Sequence, residues 1–414
     1  MEAMDLSQRL ASLGSLAGAI RARREELIAG IIQTSKKTAA VAAGEVDLAL
    51  ARLAAFGEVA ARLDGRAPVG TVAVVFPGNA SISNPVSTIG TAFLAGNEVV
   101  GRFPGASRAW ADQLEPLFLE HLPGVRFDHG AGPAFVAGVL ADPAVAVIMI
   151  FGDDTWADSY EESVRESRTK FILEGPGKDP FLVLPGADVE KAACDAVRGG
   201  YYNAGQACTS PERFYVHASL VKEFVERVVE LTRSQVVGEP ERQDVTIGPI
   251  VSRRIAARIA EQLADAQARG AHLVTGGRIK EARLADGTPV SYVEPTVLTG
   301  VSSLMTVTQD ETFGPVIPVQ EVRSAAEALR HAADHRYGLA ASLYGGTDAD
   351  AAALAESHGQ VFRDEIWMDY FRRNLHAPYG GRKRSGWVWA WEDGRFIRRE
   401  GVRTNALEFS RAAV

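Results

Sequence analysis

From residue 6 to residue 62 the chain alternates apolar and charged positions with a helical period. Leu10, Leu13, Leu16, Ala17 and Ile20 recur at three- and four-residue spacing, with Arg and Glu between them. That spacing gathers them into one apolar stripe, so the stretch reads as helices. Ala43-Gly44-Glu45-Val46 opens a further helix, rich in Ala and Leu. The pattern then changes. Gly70-Thr71-Val72-Ala73-Val74-Val75-Phe76 is an apolar run that stops at Pro77-Gly78. Runs of this kind suit strands covered on both faces. After a helix-like segment comes a short strand, Asn97 to Val100, and then a third, Ala144 to Phe151, ending at Gly152. Strand, helix and strand in repetition predict a parallel sheet with right-handed crossovers.

Past Glu174 the pattern restarts. Pro180 to Leu184 and Arg213 to Val216 read as strands, with helices over Asp188 to Tyr201, Leu220 to Thr232 and Ile255 to Arg269. His272 to Thr275 follows as a strand, closed by Gly276-Gly277. A second α/β domain therefore begins near residue 175. Glu174 would lie at the junction, where sites tend to form.

The chain's 414 residues exceed what one core usually serves, which agrees with two domains. With 46% apolar and 23% charged residues it has the composition of a globular protein. A net charge of −8 argues against non-specific nucleic-acid binding. No apolar run reaches the ~18 residues of a membrane span, and no secretory signal pattern opens the chain. The two cysteines cannot build a disulfide framework, so free thiols in a cytoplasmic setting are expected. The eight histidines show no metal-ligand spacing, and no metal site is expected.

Candidate chemistry centres on an acid and a thiol. Glu174 stands in Glu174-Gly175-Pro176-Gly177-Lys178, and Cys208 closes Asn203-Ala204-Gly205-Gln206-Ala207-Cys208. A thiolate is a good nucleophile, and a nearby carboxylate can activate the water that releases its acyl product. Taken alone, a single Cys in an α/β protein is usually a buried, inert residue. Cys194, beside Ala193 and Ala196 on an expected helix, is read in that way.

Six collinear segments resemble the aldehyde dehydrogenase superfamily. They are Pro77-Gly78-Asn79, Glu174 to Lys178, Asn203 to Cys208, Tyr292 to Leu298, Glu311-Thr312-Phe313-Gly314-Pro315-Val316, and Pro378 to Gly386. The resemblance implies an α/β fold with a Rossmann-like cofactor domain at 1–174 plus about 376–396. It also implies a catalytic domain at 175–375 and a short oligomerisation tail at 397–414. By the same resemblance Cys208 would attack an aldehyde carbonyl. The Asn79 amide and the Cys208 backbone N–H would hold the oxyanion; one such donor is worth about 3 to 4 kcal/mol. Glu174 would deprotonate the hydrolytic water, and Lys178 would tune or relay protons with it. Glu311 would bind the nicotinamide ribose, Phe313 would pack on the cofactor, and Pro77, Arg102 and Gly152 would line its path. The cofactor would be NAD or NADP.

Departures from the family pattern sharpen the expectations. Gly152-Asp153-Asp154-Thr155 stands where the family carries a Gly-Ser-Thr turn facing the cofactor pyrophosphate. Either the two carboxylates point away, or the cofactor is bound weakly or differently. Gly105 replaces an acid that holds the adenosine ribose in NAD-preferring members, so NADP should be tolerated. The connection Arg62 to Pro68 is too short for the family's protruding hairpin, which predicts a homodimer rather than a tetramer. The expected aldehyde pocket carries Asn84 and Ser87 on one wall and Arg372, Arg373 and His376 on the other, pointing to a polar, anionic small-molecule aldehyde. A CoA-acylating enzyme or acyl-CoA reductase is the alternative activity, disfavoured by Glu174. A degenerate homologue kept for binding is the third reading.

Overall fold

The structure, a computed structural model, describes residues 4–377, 380–401 and 405–413. Two seven-stranded sheets carry the fold. The strands of these sheets are, in chain order, β1 (Thr71–Val75), β2 (Glu98–Arg102), β3 (Val125–Phe127), β4 (Val145–Phe151), β5 (Lys170–Glu174), β6 (Asp179–Val183) and β7 (Pro211–His217). They continue with β8 (His272–Thr275), β9 (Thr296–Thr299), β10 (Val316–Val322), β11 (Ala340–Tyr344), β12 (Gln360–Arg363), β13 (Gly386–Glu392) and β14 (Arg395–Glu400).

The first sheet has the order β14-β13-β5-β4-β1-β2-β3. Its first five strands in sequence are parallel, as the apolar runs predict. The C-terminal hairpin β13–β14 adds antiparallel to β5. Every residue of β1 is buried. Val72 and Val74 pack with the N-terminal helices, including Leu13, Val46 and Trp110. Ala73 and Val75 face the opposite side, against Val136, Ile148 and Trp387. This two-residue alternation under a continuous apolar run is what a doubly covered strand requires. The chain order reverses between β1 and β4. In such sheets the crevice beyond the carboxyl ends, at the switch point, is the binding position. Pro77-Gly78-Asn79 leaves β1 there and Gly152-Asp153 leaves β4.

The second sheet has the order β12-β11-β6-β7-β10-β9-β8 and is parallel except for the β9–β8 pair. Here too alternate residues serve separate cores, with Phe181 and Val183 on one side and Leu182 on the other. The acid on the last residue of β5 and the thiol just before β7 come from different sheets, so the site forms at their junction.

The segment 397–414, expected to serve oligomerisation, also has partners within its own chain. Arg395–Glu400 closes the first sheet, and Ser410–Ala412 pairs antiparallel with Arg66–Pro68. Phe409 is fully buried in the first core. Cys194 also departs from its expected core position. It is half-buried, and its thiol donates to Glu190 at 3.5 Å. Among the described residues, no helix is long and apolar enough to cross a membrane. Nor do three His, Cys, Asp or Glu side chains among them gather as a metal ion would need.

Candidate active site

A cavity of about 440 Å³ opens at the junction of the two sheets, and Asn79, Glu174 and Cys208 all line it. Three backbone devices bring them together. Asn203, Ala204 and Gly205 take left-handed conformations in succession, with φ of 51°, 55° and 74°. Two of the three are not glycine, so the loop carrying the thiol is strained. Gly205 lies against the backbone of Gly314, where a Cβ would fall 2.2 Å from the carbonyl oxygen. Gly177 lies equally close to the Cys208 carbonyl. The segments of the acid, the thiol and Glu311 therefore meet through glycines that no larger residue could replace in place.

Glu174 is 5% exposed, and its Oε2 has no hydrogen-bond partner. Burial raises its carboxyl well above the usual range, and Arg52 opposes the shift only in part. Once ionised, such a carboxylate holds a proton more strongly than an exposed one, as a general base must. Asn79 Nδ2 donates to the Gln206 carbonyl at 3.2 Å, which ties the turn carrying Asn79 to the loop carrying Cys208. An amide nitrogen has two hydrogens, so one remains for the cavity.

Lys178 does not pair with Glu174 as expected. It is buried, and its Nζ donates to Glu212 Oε2 at 2.7 Å and Thr312 Oγ1 at 2.8 Å. Burial lowers its pKa, with Glu212 acting against that. Glu212 also accepts the backbone N–H groups of Thr312 and Phe313, at 2.7 and 2.8 Å. It thereby fixes the turn in which Phe313 adopts φ 53°. Sequence reasoning missed Glu212, because four residues after a Cys it carries no signal of partners a hundred positions away. Glu311 accepts from the Gly177 N–H at 3.2 Å, and burial beside the Glu212 carboxylate raises its pKa.

Of the other expected residues, Pro77, Gly152 and Phe313 line the cavity with Glu311, and so do Asn84, Ser87 and His376. Arg102 sits outside it at the end of β2, its Nε donating to the Gly130 carbonyl at 3.0 Å. Arg372 and Arg373, expected on the aldehyde wall, do not line the cavity: both are exposed, and Arg373 is paired with Glu365. The short helix Trp367–Arg373 turns Trp367 and Phe371 inward and leaves the arginines in water. His376 is buried against Phe56, and its Nε2 lies 2.9 Å from the Arg52 carbonyl. Burial pushes its pKa down, so it offers no positive charge. Pro378 and Tyr379 of the last motif lie outside the described residues.

Two cations line this wall: Arg52, which donates to the Ser83 carbonyl at 2.8 Å, and Arg62, which donates to the His376 carbonyl at 2.8 Å. On the helix Ala39–Ala54 Arg52 follows Glu45 and Leu48 at i+7 and i+4, one continuous face. The opposing helix Ser83–Leu94 presents Asn84, Ser87, Thr88 and Thr91. Asn84 Oδ1 is buried there without a partner. Arg52 escaped notice because an arginine on an amphipathic helix ordinarily marks the solvated face.

The part of the cavity expected to take the cofactor is mixed in its fit. Glu311, Phe313 and Arg258 line it, and Arg258 Nε is buried without a partner, as a group awaiting a polar ligand would be. At the turn after β4, however, Asp153 caps its own short helix. Its carboxylate accepts from the Thr155 and Trp156 N–H groups at 2.9 and 3.0 Å. Asp154 turns away, buried against Arg384 and Tyr337. One carboxylate thus points away and the other occupies the amides that a phosphate would use.

Comparison with known proteins places the chain in a family. The sequence model of the aldehyde dehydrogenase family matches residues 1–395. A putative succinate-semialdehyde dehydrogenase [NADP(+)] of Mycolicibacterium smegmatis is 34% identical over 323 residues, covering 77% of this chain and 61% of that protein. Succinate-semialdehyde dehydrogenase [NADP(+)] 1 of Mycobacterium ulcerans is 30% identical, over 81% of this chain and 71% of that one. The succinic semialdehyde dehydrogenase of Streptococcus pyogenes, solved with NADP+, superposes with a TM-score of 0.85 at 26% identity, over 98% of this chain and 89% of that one. This chain therefore spans under two thirds of the length of the first of these relatives. The chain belongs to the aldehyde dehydrogenase family.

Proposed function

We propose that this protein oxidises a small aldehyde bearing a carboxylate to the corresponding acid, with NADP+ as hydride acceptor. The observation that carries the reading is the convergence of Glu174, Asn79 and Cys208 on one cavity whose far wall holds Arg52. The Cys208 thiolate adds to the aldehyde carbon, and the oxygen takes the negative charge. The free Asn79 N–H and the Cys208 backbone N–H stabilise that charge. NADP+, when bound, supplies the acceptor to which the hydride leaves. The product on Cys208 is a thioester. Glu174 takes a proton from water, the hydroxide attacks the thioester, and the thiolate departs. An unpartnered, proton-avid Glu174 supports water over CoA as the acyl acceptor.

Glu311 and Arg258 would hold the nicotinamide end of the cofactor. Arg102 and the side-chain-free Gly105 favour a 2′-phosphate, in keeping with the NADP(+) named for the relatives. Arg52 would take the substrate carboxylate, and Asn84 and Ser87 its polar body. Succinate semialdehyde, named for those relatives, has that chemistry. We also propose a homodimer, to be weighed by light scattering; a stable tetramer would refute it. The function itself is tested by reduced-cofactor absorbance over an aldehyde panel. Semialdehydes should lead alkanals, NADP+ should serve as acceptor, and Cys208→Ala should be inactive. Undiminished turnover by Cys208→Ala would overturn the reading.

A further inference from the structure

The turn from Pro77 to Ile82 belongs to no helix or strand before residue 83, so its backbone groups need other partners. They find them in two charged residues of the N-terminal helical region. Lys36 takes a left-handed conformation, φ 56°, at the end of the helix Arg24–Ser35. The chain turns there, and Lys37 points inward. Lys37 and Glu45 are 3% and 4% exposed and form an ion pair. Lys37 Nζ also donates to the Asn79 carbonyl at 2.8 Å. Glu45 Oε2 accepts the Ser81 N–H at 2.7 Å and the Ile82 N–H at 3.3 Å. Trp110 Nε1 closes the turn from outside, donating to the Ser81 carbonyl at 2.7 Å.

We infer that the Lys37–Glu45 pair is a positioning device that sets the Asn79 side chain at the oxyanion position. This rests on the role proposed above for Asn79. A buried ion pair is a poor source of stability, since an apolar pair of like size often serves as well. This one spans both sides of a single residue, gripping the carbonyl of Asn79 and the two amides that follow Ala80. It fixes the direction in which the turn presents the Asn79 amide to the cavity. Glu45 lines that cavity as well, so the clamp and the reacting region are adjacent. Neither charged residue touches the reacting atoms in this account; each acts through Asn79.

The test is a double-mutant cycle on kcat with KM read separately. Glu45→Gln should lower kcat about ten- to a hundredfold, since misplacing a catalytic group by an ångström can cost ~100-fold, and should leave the KM for NADP+ near its starting value. In an Asn79→Ala background the same substitution should cost little more, because the group it positions is gone. A structural role alone would lower kcat equally in both backgrounds, and that result would overturn the inference. So would an unchanged kcat for Glu45→Gln while Asn79→Ala is impaired. An unimpaired Asn79→Ala would instead remove the oxyanion role and the inference with it. Should Glu45→Gln not fold, Lys37→Met keeps the Glu45–amide bonds and should show the same non-additivity. Lys37→Arg should restore most of the loss.

Discussion

A Cβ on Gly177 would fall 2.0 Å from the carbonyl oxygen of Cys208. The loop that follows the acid and the loop that carries the thiol are therefore in backbone contact, and their separation is set by a missing side chain. Gly177→Ala must push them apart. A destabilisation of about 1–3 kcal/mol is expected for such overpacking, with a larger relative loss of kcat than of folded protein. Thermal unfolding beside steady-state kinetics checks both, and unchanged kcat with an unchanged melting temperature would contradict the contact.

The raised pKa of Glu174 gives a signed pH dependence. Below that pKa the carboxyl is protonated and cannot accept a proton from water. Above it the base is present. Thioester hydrolysis should therefore rise with pH through a midpoint well above the ordinary carboxylate range. Single-turnover deacylation across pH measures it. The rising limb should vanish in Glu174→Gln, and its persistence there would assign it to another group.

Arg52→Met should separate substrates by charge. Its guanidinium is worth about 1.5–3 kcal/mol to a carboxylate it contacts, so KM for succinate semialdehyde should rise roughly ten- to a hundredfold by the same measure. A neutral aldehyde of similar length should be little affected. Equal effects on both would place the carboxylate elsewhere.

How far this site could be read from sequence depends on the range of the forces involved. The strands β1, β4 and β6 announce themselves because burial on both faces leaves continuous apolar runs. Cys208 and Glu174 stand out because their segments carry reactive chemistry in a recognisable setting. Arg372 and Arg373 misled because nothing local says which face of a short helix meets water. Arg52, Glu212 and the Lys37–Glu45 pair were invisible for the complementary reason. Each gains its role only from a partner on another element, and an ion pair eight residues apart looks like ordinary surface charge.

Asp153→Ser should tighten cofactor binding. The carboxylate now on the Thr155 and Trp156 amides competes with any phosphate there and repels it. Serine can still cap the helix without the charge. Titration of NADP+ into the Cys208→Ala protein, which cannot turn over, should show Kd falling about two- to fivefold at low salt. A weaker affinity would mean that Asp153 supports the cofactor seat rather than obstructing it.

The division of labour between Cys208 and Glu174 is tested most directly by intact-mass analysis of the Glu174→Gln protein after mixing with NADP+ and succinate semialdehyde. A burst of NADPH stoichiometric with enzyme is expected, together with an acyl adduct that peptide mapping places on Cys208 and that hydrolyses slowly. Full steady turnover by Glu174→Gln, or a burst with no adduct on Cys208, would contradict the account.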